Sequence, residues 1–522
     1  MTGTPAHSTD DHDRLCRFLA SPGAYPEPTA DVQCVETHIS QVFLTDRFVY
    51  KLKKPVRFDF LDFSTPELRH RACLAELELN RRLAGDVYLD VLPITQPAKG
   101  QFEIGGGGKP IDWLVKMRRL NAADTLLAAI QQGAVTAADV DALASRLATF
   151  YHERPPLGLS ADDYRDRIER HVRGNFSELL GDESLFTPHR IRRIYSAQLI
   201  YLALHPDEFD RRIAAGRVVD GHGDLRPEHI YLTSPPVAID CIEFNAEFRH
   251  VDILDELSFL ETECARLQAA ETGAAIRAKC LAAIGDRAPE ELAAFYKSYR
   301  ACVRAKVALL RARQSAPGEA DEQRVLVGQY LDLADQFDQR LGPPVLLVVR
   351  GLSGTGKSTV ARGLAERLGI ELLQTDAVRQ ELAKGGKIPS DPPTAKYSEN
   401  HRQQVYDEML SKAEQLLEQQ TAVILDGTFL SQNNLARVAR LAARFHARWV
   451  IVHCHCPIEI AQRRIAARAE RGRSLSEARP ELVEQQIVAQ EIDHPPWPAI
   501  QCDTTRAVPM LVREIVAQLR RV

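Results

Sequence analysis

The sequence predicts two domains, an α+β first half and an α/β second half built on a parallel sheet. With 522 residues, the chain is too long for one ordinary hydrophobic core. Gly342-Pro343-Pro344 follows a helical pattern, and proline ends a helix because it lacks a backbone N–H. Next come the apolar run Val345–Val349, a glycine-rich loop and a second helical pattern, an order typical of parallel α/β sheets. We therefore predict one domain over residues 1–341 and another over residues 342–522.

Composition and charge are those of a soluble globular protein. The 66 lysine and arginine residues nearly balance 71 aspartate and glutamate residues, so no basic field favours nucleic acid or an anionic membrane as main partner. Residues 1–13 are polar and no long apolar run could span a bilayer, so we expect a cytoplasmic protein without a membrane partner. The ten cysteines include no C-x-x-C pair, which argues against a zinc site or a disulfide framework.

The first half begins with a predicted sheet and one helix. Residues Val35–Lys54 alternate apolar and polar around the break Thr45-Asp46-Arg47, which indicates a hairpin. Leu68–Leu83 has helical spacing, and Val91–Pro97 and Trp113–Leu120 are predicted strands. The remainder is predicted to be mainly helical, over Ala122–Phe209, Val251–Arg266, Glu290–Arg313 and Gln323–Leu341.

Four charged residues of the first half have the order that phosphoryl transfer requires. A kinase needs one carboxylate to accept the proton of the acceptor hydroxyl and a second to hold Mg²⁺, and Asp224 and Asp240 suit these roles. A strand lysine must position the ATP phosphates and a helix glutamate must hold it, and Lys51 and Glu76 have that context. Each residue alone is more often a cap, a turn residue or a surface charge, so the prediction depends on the group.

The segment from His222-Gly223-Asp224 to His229 resembles the H-G-D-x-x-x-x-N loop of the aminoglycoside phosphotransferase family, a branch of the protein-kinase-like fold. Ile239-Asp240 is similar to that family's metal-binding strand end. The resemblance implies a bilobal domain, with a small lobe over about residues 1–120 and a large lobe over about residues 121–341. It also implies that Asp224 is the catalytic base.

Further roles follow from the same resemblance. Asp240 is implied to bind Mg²⁺, Lys51 to bind the ATP phosphates, and Met117 to begin the hinge beside adenine. His229 replaces the family's metal-binding asparagine and is assigned to the metal site. The segment Thr37–Ser40, where a phosphate-covering loop is expected, contains no glycine.

The second half contains the P-loop spacing Gly351-x-x-x-x-Gly356-Lys357-Ser358, between a predicted strand and the helical pattern Val360–Leu368. Glycines let backbone N–H groups surround phosphate oxygens, Lys357 reaches the outer phosphates, and the Ser358 hydroxyl holds Mg²⁺. The sequence therefore predicts ATP and Mg²⁺ as cofactors. The predicted nucleotide-binding residues are Gly351, Ser353, Gly354, Thr355, Gly356, Lys357, Ser358 and Thr359.

Two aspartates follow further predicted strands of the second half. Asp376 comes after Glu371–Gln374, and Asp426 ends the run Thr421–Leu425. Ligands of open α/β sheets bind at the carboxyl ends of the strands, so Asp376 and Arg379 are predicted to meet the phosphoryl acceptor. Asp376 as a mere helix cap is an equal alternative. Asp426 is predicted to act near Mg²⁺ or to activate the acceptor.

The predicted helix Pro457–Glu470 carries Arg464 and Arg468, which are predicted to neutralise charge on the transferring phosphate. Arg471, Arg473 and Ser474–Glu477 would continue this segment as a lid, and a solvated helix face is the alternative. Residues 342–522 resemble P-loop kinases of the gluconate-kinase, shikimate-kinase and polynucleotide-kinase type, with some likeness to zeta-toxin-like proteins. The tandem order resembles bacterial fusions of an aminoglycoside phosphotransferase-like domain with an ATP-binding domain.

These observations favour an enzyme, an ATP-dependent kinase with two modules that phosphorylates hydroxyl groups of small molecules. Sugars, amino sugars and nucleosides are the expected acceptors, and a nucleic-acid end is a further alternative. In a second hypothesis the P-loop half is the active kinase, and the first half is a nucleotide-binding regulatory module. A third is a nucleotide-dependent switch that makes no phosphorylated product.

Overall fold

A computed structural model describes most of the chain, namely residues 9–58, 61–98, 101–182, 188–388, 399–470, 486–488 and 496–521. Within these ranges no helix combines the length and the apolar character needed to cross a membrane. Contacts group the chain into two compact units, one made of Met1–Leu159 with Arg211–Arg300 and the other of Ser160–Asp210 with Ala301–Val522. We call them the first and the second unit.

The strands of the described residues fall into two larger sheets and several short ladders. Their bounds are β1 Gln33–Glu36, β2 Ser40–Leu44, β3 Phe48–Lys53, β4 Arg57–Phe58, β5 Leu61–Asp62, β6 Tyr88–Ala98, β7 Gln101–Ile104, β8 Pro110–Arg118, β9 Val218–Asp220, β10 Ile230–Tyr231, β11 Val237–Ala238, β12 His250–Asp252, β13 Val345–Arg350, β14 Glu371–Gln374, β15 Val423–Asp426, β16 Arg448–His455 and β17 Ala499–Asp503.

The helices complete both units. Their bounds are α1 Thr9–Leu19, α2 Pro66–Ala84, α3 Leu126–Gln131, α4 Ala137–His152, α5 Ala161–Leu180, α6 Pro188–Leu204, α7 Pro206–Ala214, α8 Ile253–Arg266, α9 Ala270–Ala283, α10 Glu290–Ala312, α11 Pro317–Asp338, α12 Lys357–Leu368, α13 Thr375–Lys384, α14 Glu399–Glu418, α15 Gln432–Arg444, α16 Ile458–Glu470 and α17 Val508–Leu519.

The first unit contains an antiparallel sheet with the strand order β1-β2-β3-β8-β6-β7. Successive residues of a strand face opposite sides, so Leu114 packs in a cluster with Leu15 of α1, whereas Val115 packs in a cluster with Cys73 of α2. Thr65 caps α2 by accepting a hydrogen bond from the backbone N–H of Leu68. The predicted hairpin and the helix over Leu68–Leu83 are thus confirmed.

The helical part of the first unit supports two short ladders. Helices α8 and α9 pack together, and α4 packs against α9. Strand β9, which pairs antiparallel with β12, leads into the His222-Gly223-Asp224 loop. Strands β10 and β11, which follow this loop in the sequence, form a second antiparallel pair. These ladders hold the two segments that carry Asp224 and Asp240.

The second unit is built on a five-stranded parallel sheet with the order β14-β15-β13-β16-β17. Alternate residues of β13 face its two sides: Leu347 packs in a cluster with α12 and α17, and Leu346 packs in a cluster with α13, α14 and α15. All six residues of β13 are buried, which explains the continuous apolar run at this strand. The predicted parallel sheet is confirmed.

Helices α5 and α6 also belong to the second unit. Ala203 of α6 lies in the cluster that contains Val345 and Leu368. The guanidinium of Arg173 on α5 donates to the carbonyl oxygens of Glu366 and Arg367, the last turn of α12. The contacts therefore group α5 and α6 with the P-loop sheet, whereas the sequence-based division at residue 341 assigned them to the first half.

Candidate functional site

The P-loop begins at the end of β13 and runs into α12. Gly351 and Gly354 have φ values of 150° and 81°, and a Cβ at either position would overlap the carbonyl oxygen of Cys454 or Ala461. Gly356 is the N-cap of α12, with φ 87° and no capping side chain. The first N–H groups of a helix have no acceptor within the helix, so this end is suited to bind an anion. Helix α12 starts at Lys357 rather than at Val360 because the P-loop lysine and serine already form its first turn.

One turn of the P-loop is bound by a side chain that the sequence did not reveal. The backbone N–H of Ser353 donates to Oε1 of Gln486 at 2.8 Å, and Nε2 of Gln486 donates to Ser353 Oγ at 3.0 Å. The Thr355 hydroxyl donates to the carbonyl oxygen of Leu352 at 2.8 Å. Gln486 carries no sequence signal, because a glutamine 133 positions away marks no motif.

Asp426 ends β15 directly beside the P-loop strand. It pairs in register with Val349, and Gln374 Nε2 donates to its Oδ2 at 2.8 Å. Its side chain is buried, and Oδ1 has no hydrogen-bond partner among the described residues. A buried carboxylate oxygen is costly unless a cation or a water completes its coordination. An oxygen ligand beside the Ser358 turn therefore fits Mg²⁺.

Asp376 and Arg379 lie in α13, which follows β14 at the same edge of the sheet. The N-cap of α13 is Gln374, without a side-chain capping bond, so the alternative role of Asp376 as helix cap is wrong. Asp376 instead forms an ion pair with Arg379, one turn further along the helix. The pair occupies the edge predicted for the phosphoryl acceptor.

The arginines of α16 differ in their surroundings. Arg464 donates to the Thr504 carbonyl oxygen at 2.8 Å and to Thr504 Oγ1 at 3.1 Å. Its Nη1 also lies 3.5 Å from the carbonyl oxygen of Thr355, so this arginine borders the P-loop. Arg468 is half-buried one turn further along. The predicted lid residues Arg471, Arg473 and Ser474–Glu477 lie outside the described residues.

The first unit brings Lys51, Glu76 and Asp240 together. Lys51 Nζ lies 2.8 Å from Glu76 Oε1 and 2.7 Å from Asp240 Oδ1. Partial burial alone would raise the pKa of Asp240, but the ammonium of Lys51 and the guanidinium of Arg226 hold that pKa well below its usual range. Asp240 also has φ 64°, which is uncommon outside glycine, and its backbone N–H donates to the Tyr88 hydroxyl at 3.1 Å.

Among the residues that the structure describes, Asp224, His229 and Asp240 form a cluster that could hold a metal ion. One ligand atom of each lies within 4.8 Å of the others. The two carboxylates are the donors that Mg²⁺ prefers. His229 Nδ1 lies 3.0 Å from the Asp224 carbonyl oxygen, and Arg226 Nη2 lies 3.0 Å from His229 Nε2. Because a guanidinium only donates, Nε2 accepts from Arg226, and a metal at that nitrogen would have to displace Arg226.

Glu256 holds the backbone of the Asp224 loop, and sequence reasoning did not single it out for this role. Its carboxylate accepts from the backbone N–H groups of His222 at 2.8 Å and Gly223 at 2.5 Å, and from the Tyr151 hydroxyl at 2.8 Å. The side chain is 1% exposed, and burial raises its pKa. Glu256 lies in the first turn of α8 and belongs to no recognised motif, and its partners are more than 30 positions away, so the sequence gives no signal for this role.

The two remaining predicted segments of the first unit are placed as follows. Met117 is buried near the end of β8 and pairs in register with Val49, in the cluster of Tyr88 and Val115. The turn Thr37–Ser40 closes the hairpin of β1 and β2, with the Thr37 N–H donating to the Ser40 carbonyl oxygen at 2.9 Å.

Stability should depend on pH through His222. Its ring is buried, and burial lowers its pKa from about 6.5 to about 4. The unfolded chain therefore binds the proton more readily between these values, so the free energy of unfolding rises with pH across that window. The contribution, about 3 kcal/mol, is complete above pH 6.5 and is lost as the pH falls towards 4. The free energy of unfolding, measured with urea, should differ less between pH 7 and pH 4.5 in His222→Gln than in the parent protein. Equal differences in the two proteins would contradict this assignment.

Known proteins resemble parts of this chain. Residues 346–491 match a family model described as an AAA domain. A shikimate kinase of Thermobifida fusca is 54% identical over 46 residues, which are 9% of this chain and 26% of that protein. Among solved structures, a choline/ethanolamine kinase family protein from Mesorhizobium loti is similar over 63% of this chain and 99% of that one, with 13% identity and a TM-score of 0.35.

Longer matches come from mycobacteria. Uncharacterized proteins of Mycobacterium tuberculosis and Mycobacterium bovis are each 36% identical to this chain over 450 residues. The match covers 85% of this chain and 87% of each relative. The chain therefore belongs to the same protein family as these mycobacterial relatives, and its C-terminal part contains a P-loop domain of the AAA type.

Proposed function

We propose that this protein is an ATP-dependent phosphotransferase with two nucleotide sites, one in each unit, that phosphorylates a hydroxyl group of a small molecule. The observation that most supports the proposal is the P-loop at the end of β13, beside the unpartnered buried oxygen of Asp426. A phosphate at the start of α12 would satisfy the first feature, and Mg²⁺ held by Asp426 would satisfy the second and neutralise charge.

In the second unit, Lys357 would bind the outer phosphates, and Ser358 and Asp426 would hold Mg²⁺. The Asp376–Arg379 pair would face the acceptor at the carboxyl edge of the sheet. Arg464 and Arg468 would neutralise charge on the transferring phosphate. Arg464 would first have to give up its hydrogen bond to the Thr504 carbonyl oxygen. The 46-residue match to a shikimate kinase supports a small-molecule acceptor.

In the first unit, we propose a bilobal, protein-kinase-like arrangement in which Lys51 would bind the phosphates, Asp240 would provide an oxygen for Mg²⁺, and Met117 would begin the adenine hinge. Asp224 would accept the proton as the acceptor oxygen bonds to the γ-phosphorus and the bond from that phosphorus to the leaving oxygen of ADP breaks. Mg²⁺ would supply charge neutralisation. The Asp224 side chain is a quarter exposed, so an acceptor hydroxyl can reach it.

A second candidate function is favoured by His229. Because its Nε2 already accepts from Arg226, the first unit would hold a metal ion through fewer ligands than an active kinase provides. In this alternative the first unit binds nucleotide and regulates the P-loop kinase. It predicts that Lys357→Ala abolishes all phosphoryl transfer, while one ATP per chain still binds.

The proposed function is tested with γ-labelled ATP and a mixed metabolite pool that includes a 5′-hydroxyl oligonucleotide. We expect labelled small molecules from the full chain, and a loss of at least about 100-fold for products of the first site in Asp224→Ala and of the second site in Lys357→Ala. A labelled oligonucleotide would identify a nucleic-acid end as acceptor. If neither substitution lowers the turnover of any acceptor, or if ATP is hydrolysed without a labelled product, the proposal is wrong.

A further inference from the structure

Five charged side chains of alternating sign form one chain of ion pairs in the first unit. In order they are Asp240, Lys51, Glu76, Lys53 and Glu243. Lys53 Nζ lies 2.6 Å from Glu76 Oε2 and also pairs with Glu243. Each oxygen of Glu76 thus has its own lysine, Oε1 with Lys51 and Oε2 with Lys53.

The two lysines differ in what they can reach. Both lie on β3 and point to the same side because they are two positions apart. The Lys51 side chain is 12% exposed and contacts Asp240, which is 45% exposed, whereas the Lys53 side chain is fully buried. The Lys53 ammonium also lies 5.0 Å from the ring centre of Phe63, which covers it. Lys53 therefore has no access to a bound nucleotide.

The proposed function requires the Lys51 ammonium to contact the phosphates of the nucleotide. If Asp240 held Mg²⁺, Lys51 would lose that partner and would turn towards the phosphates, while Glu76 would still have to hold it. A Glu76 carboxylate with only one lysine would either draw Lys51 inwards with both oxygens or take up a proton and lose its hold. Lys53 opposes both outcomes, because its buried ammonium pairs with Oε2.

We propose that Lys53 and Glu243 are positioning residues of the first nucleotide site: Lys53 fixes Oε2 of Glu76 so that only Oε1 serves Lys51, and Glu243 balances the charge of Lys53. This inference rests on the proposed nucleotide site at Lys51. It goes beyond the lysine–glutamate pair that the sequence predicted, because it adds a second such pair on the far side of the same carboxylate.

The electrostatics of the buried groups agree with this arrangement. Burial alone would raise the pKa of Glu76, but Lys51 and Lys53 bring that pKa below its usual value. Burial alone would lower the pKa of Lys53, but Glu243 and Glu76 raise it. Burial raises the pKa of Glu243, and the ammonium of Lys53 opposes that rise.

Stability alone gives little reason for a second buried pair. Burying two charges removes them from water, and a well-packed apolar pair of similar volume is often as stable. A merely structural pair should therefore be replaceable as a pair, whereas a positioning pair should not. The double variant Lys53→Met/Glu243→Leu separates these roles, because it leaves no unpaired buried charge at either position.

The experiment measures Mg·ATP affinity by calorimetry in full-length Lys357→Ala protein, in which the P-loop site is disabled. We expect Lys53→Met and the double variant each to weaken ATP binding by about tenfold or more, and Lys53→Arg to restore most of the affinity. Lys54→Met is the matched control: Lys54 is the next residue, pairs with the exposed Glu36, and should change affinity less than about twofold.

The outcomes separate this inference from the proposed function. If Lys51→Met leaves ATP affinity unchanged in the same background, the nucleotide site of the first unit is wrong. If Lys51→Met weakens binding but the double variant binds as the parent does, the pair is only structural and the inference is overturned. The double variant keeps the test valid even where Lys53→Met alone fails to fold, because its buried charges are removed together.

Discussion

Replacement of Lys357 by alanine should lower the ATP affinity of the second unit by about 100-fold. Lys357 is the first residue of α12, directly after the N-cap Gly356, and its ammonium is the cation that the P-loop spacing assigns to the outer phosphates. The remaining helix N–H groups would still attract a phosphate, but only weakly. Calorimetry with Mg·ATP in a Lys51→Met background, in which the first site is disabled, measures this loss directly.

The control for this prediction is Lys384→Ala. Lys384 lies in the last turn of α13 in the same unit and is exposed, so its removal changes the net charge equally without touching the P-loop. The fold should tolerate both substitutions, since Lys357 is not part of the buried cluster on α12, which consists of Val360, Ala361, Leu364 and Leu368. Equal ATP affinities for the two variants would show that the P-loop is not the nucleotide site.

The P-loop could be predicted from sequence because its signal is local. The residues from Val345 to Thr359 contain the strand, the glycine loop and the helix start, and each of these depends on neighbours within a few positions. The parallel sheet followed for the same reason, since the apolar runs at β13, β15 and β16 are continuous when both faces are buried.

The side-chain pairings at the sites could be predicted only in part. The order of Lys51, Glu76 and Asp240 indicated a group, although Lys51 and Asp240 are 189 positions apart. Lys53 could have been noticed, because residues two apart on a strand share a face. Glu243 could not, since its partner depends on how the loop after β11 turns at Asp240, which has φ 64°.

The grouping of α5 and α6 with the P-loop sheet was likewise not visible in the sequence. Amphipathic spacing shows that a helix has an apolar face, but not which sheet covers it. Here the ring of Tyr195 approaches Gly369 so closely that a Cβ at Gly369 would overlap it, and the Ser196 hydroxyl lies 3.5 Å from the Leu368 carbonyl oxygen. The close packing of α6 against the end of α12 therefore groups these helices, and hydropathy does not reveal such packing.

Glu256→Leu should destabilise the first unit by about 3–5 kcal/mol, the largest stability effect expected at either site. The substitution removes the acceptor of two backbone N–H groups, those of His222 and Gly223, and of the Tyr151 hydroxyl. All these donors lie in a region without water access, since Glu256 itself is 1% exposed. An apolar side chain of similar size leaves them unsatisfied and releases the loop that carries Asp224.

A graded series separates the lost acceptor from a change of volume. Glu256→Gln keeps one acceptor oxygen and should cost about half as much as Glu256→Leu, while Tyr151→Phe removes a single donor and should cost about 1 kcal/mol. Hydrogen exchange of the β3 and β8 amides reports the free energy of unfolding of the first unit alone, and peptides over residues 218–225 report the loop. If Glu256→Leu left both protected as in the parent protein, the carboxylate would not be what holds Asp224 in place. Asp224 would then depend on its own neighbours, and the positioning of the proposed base would have to be sought in the hydrogen bond between the Asp224 N–H and His222 Nδ1.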